Sequence, residues 1–249
     1  MSIKPFIVLL FALGGGLSVF GCGTEQDPPA PTNPPPSKPQ PSTAETKKVL
    51  MGRNVWFESQ GGKRRVVIDA YVCFREGLLE MLMCRKNTKE HESILAADID
   101  ARDIHKALLL TGATPGAPVQ YEPEYRAASG TEIRVTLEYE DGGKTKSVRG
   151  QHWVRNIQDK TEMKAGWVFV GSVLFADPVD KERPPIYGAN SGDVICVSNF
   201  EDALLDVSIK SSKDNAELAF EAWTERIPPL GTKVRIILEP VEQDKKRAK

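Results

Sequence analysis

Eight of the 18 prolines in this chain fall between residues 28 and 41, in a run from Asp27 to Ser42 that holds no large apolar side chain. Proline fixes φ and removes a backbone donor, so neither a helix interior nor a central strand can form there. The stretch reads as a semi-rigid polyproline II spacer, ~3.1 Å per residue and on the order of 40 Å long. A PxxP ligand for a partner domain is the sharper reading. A plain tether is preferred, because proline-rich stretches commonly serve as spacers alone. Folding is thereby confined to the chain after about Lys48. The roughly 190 residues that reach Val241 suit one domain with its own core, without need of disulfides.

The segment before the spacer gives the chain an address. Lys4 supplies one positive charge, Phe6 to Leu13 is unbroken hydrocarbon, and Val19-Phe20-Gly21-Cys22 closes the run. Charge, apolar core and small residue in that order read as a secretory signal. Phe6 to Phe20 spans 15 residues interrupted by Gly14-Gly15-Gly16, short of the ~20 apolar residues a membrane span needs. Val19 to Cys22 resembles the lipobox of bacterial lipoproteins. That resemblance implies a diacylglyceryl group on the Cys22 thiol, cleavage before it and acylation of the new amine. The expected layout is a signal peptide over 1–21, a tether over 22–47, a globular domain over 48–241 and a flexible basic tail over 242–249. Multiple acyl chains at ~0.8 kcal/mol per buried methylene would hold the protein firmly on a membrane. Gly23, where some bacteria place Asp for inner-membrane retention, points to the outer membrane.

Charge excludes one class of partner. Lys4 is the only charge in 1–21, so the remaining chain carries 32 basic against 34 acidic residues, a net −2. Nucleic-acid binding needs a clustered basic face, and this chain has none. Lys245, Lys246, Arg247 and Lys249 are diluted by Glu242 and Asp244 and read as a solvated terminus. The expected partners are the membrane, through the Cys22 lipid, and an envelope protein or small ligand.

Within the domain, Arg65 to Phe74 is β-branched and aromatic, and Leu78 to Cys84 follows Gly77 with an apolar alternation, so the pair reads as a hairpin with a Glu76-Gly77 loop. That register places Ala70, Val72, Phe74, Leu79, Met81 and Met83 on a core face. Asp100 to Gly112 predicts a helix near 100–111, capped by Asp100, striped by Ala101, Ile104, Ala107 and Leu108, and stopped by Gly112. His105 lies off that stripe and reads as solvated. Thr131 to Glu140 and Lys144 to Arg149 flank Asp141-Gly142-Gly143, a strong hairpin signal. Trp167 to Leu174 and Asp193 to Val197 read as strands, Ser198 to Val207 as a short helix, and Glu217 to Thr224 with Thr232 to Glu239 as a last strand pair. Hairpin connections with one firm helix predict an α+β fold, a single strand-rich domain built mainly from antiparallel sheet.

Three cysteines follow Cys22. The predicted hairpin sets Cys84 opposite Asp69, four residues and roughly 13 Å from Cys73, beyond the ~7 Å between Cα atoms that a disulfide allows. A bridge from either one to Cys196 stays open beside three buried thiols, the preferred reading. The densest polar run follows Cys84: Arg85-Lys86-Asn87-Thr88-Lys89-Glu90-His91-Glu92-Ser93. Cys84 and His91 could pair as nucleophile and base, oriented by Glu90, Glu92 or Asp98, or share a zinc ion. The milder reading is a capped, solvated loop, with Asn87 and Glu90 forming a helix-start box. His152, beside Trp153, reads as packed and hydrogen-bonded. No HExxH, CxxC, GxSxG or phosphate loop occurs, so no cofactor is expected.

Four stretches carry a family resemblance: Cys73-Phe-Arg-Glu-Gly-Leu-Leu-Glu80, Lys89-Glu-His-Glu-Ser93, Gly192-Asp-Val-Ile-Cys-Val-Ser-Asn-Phe200 and Ile227-Pro-Pro-Leu-Gly-Thr-Lys-Val234. Together they resemble the YdjY-like domain of bacterial exported proteins over most of 50–241. A lipidated form with a proline-rich tether is similar to planctomycete members. The resemblance implies one exported domain and no activity, so the leading expectation is a tethered, non-catalytic binding or assembly module, with a thiol- or zinc-dependent enzyme as the alternative.

Overall fold

The computed structural model describes residues 46–176, 179–180, 182–210 and 219–241. Cys22, the signal segment 1–21, nearly all of the tether, Glu217 and the basic tail lie outside the described residues. In chain order the strands are β1 (Lys47–Gly52), β2 (Val55–Gln60), β3 (Lys63–Val72), β4 (Met81–Arg85) and β5 (Ser93–Ala97), then helix α1 (Ala101–Thr111). Next come β6 (Glu132–Asp141), β7 (Lys144–Arg149), β8 (Val154–Asn156), β9 (Trp167–Phe169), β10 (Leu174–Phe175) and β11 (Ile186–Tyr187). The last four are β12 (Ile195–Cys196), β13 (Leu205–Val207), β14 (Phe220–Ala222) and β15 (Lys233–Pro240).

Eight strands close into a mixed barrel in the order β3-β15-β6-β9-β13-β12-β4-β5, with β5 returning to β3. This corrects the expected open antiparallel sheet of hairpins. The predicted β3/β4 hairpin does not form, because β5 lies between the two strands. β3 runs antiparallel to β5 (Tyr71↔Ala96, Val72↔Leu95), and β4 runs parallel to it (Met81↔Ser93, Cys84↔Ala96). β12 and β13 form a second parallel contact at Ile195↔Leu205. Parallel neighbours usually need a crossover of a dozen or more residues. Here residues 86–92 suffice between β4 and β5. The expected helix over Ser198 to Val207 is a turn followed by β13, and the last two strands do not pair: β14 joins β8, while β15 lies between β3 and β6.

Other elements follow their local signals. Asp100 Oδ1 accepts from the Arg102 N–H at 2.9 Å, and the Gly112 N–H reaches the Leu108 and Leu109 carbonyls, so α1 is capped at both ends. β6 and β7 pair as expected from Thr136↔Arg149 to Asp141↔Lys144. Gly142 and Gly143 take φ of 59° and 76°, the left-handed pair a tight I′ hairpin requires.

Strand residues divide between two faces, with breaks in the alternation at Leu82–Met83 and Ile94–Leu95, which all enter the core. Ala70, Val72, Leu95, Ala97, Ile195 and Val197 enter one continuous apolar core with Trp153, Trp167, Phe169 and the α1 residues Ala101, Ile104, Ala107 and Leu108. Tyr71, Cys73, Ala96 and Cys196 face the other way, into a smaller cluster with Met81, Cys84, Phe200 and Ala203 on the outer wall. Of the six residues expected on one core face, Met81 thus sits in the outer cluster. His105 is not solvated: its Nδ1 lies 2.8 Å from the Tyr187 hydroxyl and 3.1 Å from the Gly171 carbonyl, and its ring packs edge-on to Phe169.

Trp167 fills the core and donates from Nε1 to the Cys196 carbonyl at 2.7 Å. Trp167→Ala should therefore cost ~3–5 kcal/mol in urea unfolding. Leu174→Ala, at a side chain 66 % exposed, should stay within ~0.5 kcal/mol of wild type.

Candidate functional site

The segments that lead into and out of β4, β5 and β12 converge on one patch of the outer wall. Lys89, in the β4–β5 connection, is its centre. Its ammonium lies 2.8 Å from Asp193 Oδ1, 3.6 Å from Glu80 Oε2 and 4.0 Å from Glu92 Oε1, and it sits 4.4 Å over the Phe200 ring. Ser191 Oγ extends the network, 2.8 Å from Asp193 Oδ2 and 3.2 Å from Asp202 Oδ2. The approach depends on Gly192. Its φ is 132°, and a Cβ there would meet Thr88 Oγ1 at 2.7 Å and Lys89 Cγ at 3.0 Å.

One lysine faces four carboxylates, so the patch holds protons. Burial, followed by the neighbouring Glu92, pushes Glu80 up to about 7. Asp202 is raised by burial and by Asp193. Burial disfavours the Lys89 charge, but Asp193, Glu80 and Glu92 outweigh it and raise its pKa. Beside this network Asp206 is buried, accepts from the Val207 N–H at 2.7 Å and from Asn199 Nδ2 at 3.2 Å, and is pushed by burial up to about 7.

The adjoining pair is sulfur. Without the hairpin the reason changes but the separation stays: β5 lies between Cys73 and Cys84, so their Cα atoms are about two strand spacings apart, ~9.6 Å or more, beyond the ~7 Å a disulfide allows. The two flank β5 and belong to the same outer cluster. Cys73 Sγ also lies 3.0 Å from the Ser93 carbonyl and 3.5 Å from that of Ile94. The Cys84 thiol is lowered, first by the neighbouring Cys73 and then, against burial, by Ser93 and the Lys89 amide; Cys73 is raised by Cys84 and by burial. Cys196 is fully buried, which raises its pKa.

The other candidates scatter. Cys84 is completely buried, whereas the His91 side chain is 75 % exposed and its ion-pair contact is Glu92 at 3.7 Å. Glu90 caps the loop, accepting from the Asn87 and Thr88 amides. Asp98 pairs with Arg53 at 2.7 Å. His152 Nδ1 meets Glu162 Oε2 at 3.0 Å, within reach of Arg226. Among the described residues, no three His, Cys, Asp or Glu side chains form a metal-binding group. Sequence reasoning missed Glu80, Lys89, Asp193, Asp202 and Asp206 as a network, although Glu80, Lys89 and Asp193 lie within the stretches that carry the family resemblance.

A closed mixed barrel whose outer wall bears a lysine–carboxylate network beside free cysteines defines a domain class rather than a reaction. The YdjY domain model matches residues 60–239, and the chain belongs to that family. No curated protein and no solved structure matches it.

Lys89→Met should leave Glu80, Glu92, Asp193 and Asp202 without their cation. Breaking a buried pair costs ~3–5 kcal/mol, and the loss measured by urea unfolding should be larger at pH 8 than at pH 5, where protons replace the missing charge. Asp206 holds its proton more tightly folded than unfolded, since its pKa rises from 3.8 to about 7. Its contribution to stability is complete below about pH 4 and is lost as pH climbs through 7, on the order of 4 kcal/mol in all. Unfolding of Asp206→Asn measured from pH 4 to 8 should show a correspondingly flatter profile than wild type.

Proposed function

We propose that this chain is a lipid-anchored binding or assembly module of the cell envelope, cleaved after its signal peptide, acylated at Cys22 and working through the outer wall of its barrel. The observation that carries the reading is where open space lies. Trp153, Trp167, Phe169 and their neighbours fill the core, so a ligand has to meet the outside. There a groove of 840 Å³ crosses β3, β15 and β6, lined among others by Asp69, Tyr71, Lys86, Glu138, Lys233 and Arg235. Strand register sets Asp69, Arg235 and Glu138 in one row of alternating charge, with Tyr71 beside Lys233 in the next. Such rows complement a protein surface of mixed charge. An envelope protein is therefore the favoured partner, and the lipid with its tether would present the groove to it on the periplasmic side, the outer membrane being favoured by Gly23.

The competing reading, a thiol- or zinc-dependent enzyme centred on Cys84 and His91, requires those side chains to meet at the floor of a pocket. Complete burial of Cys84 and exposure of the His91 ring favour the binding reading.

A photo-crosslinking residue placed at Tyr71 in intact cells tests it. One envelope protein should be captured repeatedly. Capture should drop at least tenfold in a Lys233→Glu/Arg235→Glu variant, and the mature chain should begin at a lipidated Cys22 by mass spectrometry. An unmodified chain among soluble proteins would refute the anchor; capture unchanged by charge reversal would refute the groove.

A further inference from the structure

The charges in the groove have no partners of their own. Arg235 lies directly opposite Asp69 on one side and Glu138 on the other. Yet Asp69, Lys86, Glu138, Lys233 and Arg235 make no side-chain hydrogen bond or ion pair among the described residues. A second row of the same sheet shows the alternative. Strand register sets Lys48, Glu58 and Arg65 side by side in the same way. There the ammonium reaches Glu58 at 3.3 Å and the guanidinium reaches it at 2.8 Å. Neighbouring charges on this wall are thus able to pair, and in the groove they stay open to a ligand.

We propose that the groove receives an α-helix of its protein partner, laid across β3, β15 and β6. An acidic side chain of that helix sits over Arg235, with a basic side chain on either side of it, over Asp69 and over Glu138. The inference rests on the groove being a protein-binding surface, and it specifies the face that the partner presents.

Spacing selects the helix. Adjacent strands lie ~4.8 Å apart, so the negative–positive–negative row spans ~9.6 Å with its cation at the midpoint. A helix rises ~1.5 Å per residue, which puts side chains i, i+3 and i+7 of one face at about 0, 4.5 and 10.5 Å. An extended segment steps ~6.6 Å between side chains of one face and overshoots to ~13 Å at the third. A polyproline II segment repeats a face every ~9.3 Å and leaves nothing at the midpoint. Sign is selected too. A helix with the inverse order, acidic–basic–acidic, sets like charges against each other at all three strands, which disfavours it strongly. Lys233, two residues from Arg235 along β15 and unpaired as well, reinforces the positive centre.

Synthetic alanine-based helices of about 18 residues, long enough to hold the conformation alone, provide the test. Each carries three charged side chains and a fluorescent label, and its binding to the full-length protein is read by anisotropy. The peptide with Lys, Glu and Lys at i, i+3 and i+7 should bind at least about tenfold tighter than its Glu–Lys–Glu inverse. High salt should shrink that difference. A β-branched peptide with Lys, Glu and Lys at i, i+2 and i+4 represents the extended alternative and should bind more weakly than the matched helix. Asp69→Lys/Arg235→Glu/Glu138→Lys should reverse the preference between the two helices. Should that triple variant fail to fold, Arg235→Glu alone, at an exposed side chain, should abolish the preference. Equal binding of the matched and inverted helices, binding of neither, or tighter binding of the extended peptide would overturn the proposal. Selective peptide binding without any partner captured in cells counts against the envelope reading alone; capture in cells with peptides that do not discriminate counts against the helix alone.

Discussion

Closure of the barrel rests on the few backbone pairs by which β5 joins β3. Tyr71↔Ala96 and Val72↔Leu95 bring the last strand of the circuit back to the first, and closure removes the sheet edges that would otherwise demand partners. It also forces β4 to take β5 as a parallel neighbour, so the short connection between them must leave the wall, turn and return. That constrained loop carries Lys89, Glu90, His91 and Glu92. The same closure therefore shapes the polar patch and sets Cys73 and Cys84 on opposite edges of β5.

The patch is a case of electrostatics set by geometry. A lone buried carboxylate would be costly, and four around one lysine remain tolerable because protons share the burden. Gly192 lets the turn before β12 lie against Thr88 and Lys89, which brings Asp193 within 2.8 Å of the ammonium. The hydrocarbon under this network, with Phe200 beneath the lysine, lowers the effective dielectric and strengthens each interaction.

Local signals made part of this legible. Asp141-Gly142-Gly143 identified a hairpin because a I′ turn leaves few alternatives, and Asp100 with Gly112 bounded α1 because caps act within a turn. β4 and β5 were opaque for a physical reason. Every residue from Met81 to Cys84 and from Ser93 to Ala97 is buried, so neither strand shows the alternation that reveals a half-exposed strand. Which strand pairs with which is then a non-local matter. The expected Cys73–Cys84 separation was derived from that register, and it is β5 between the two strands that keeps these cysteines too far apart to bridge. The polar run after Cys84 was visible as a cluster, but its partners Glu80, Asp193 and Asp202 come from two other segments. Only the fold brings them to Lys89.

β3 divides one edge between two neighbours: its early residues pair with β2, and Tyr71 and Val72 with β5. β1 and β2 consequently continue the sheet past the closed wall, with Val55 and Met51 packed into the core, and the chain enters the described fold at the outermost strand, where Lys47 opposes Ser59. A pull applied at Lys47 would load the β1–β2 contacts one after another, as a zip opens, before it strained any strand of the barrel. With Lys47 to Leu50 exposed, the start of that outermost strand is the part of the sheet with the least packing to lose.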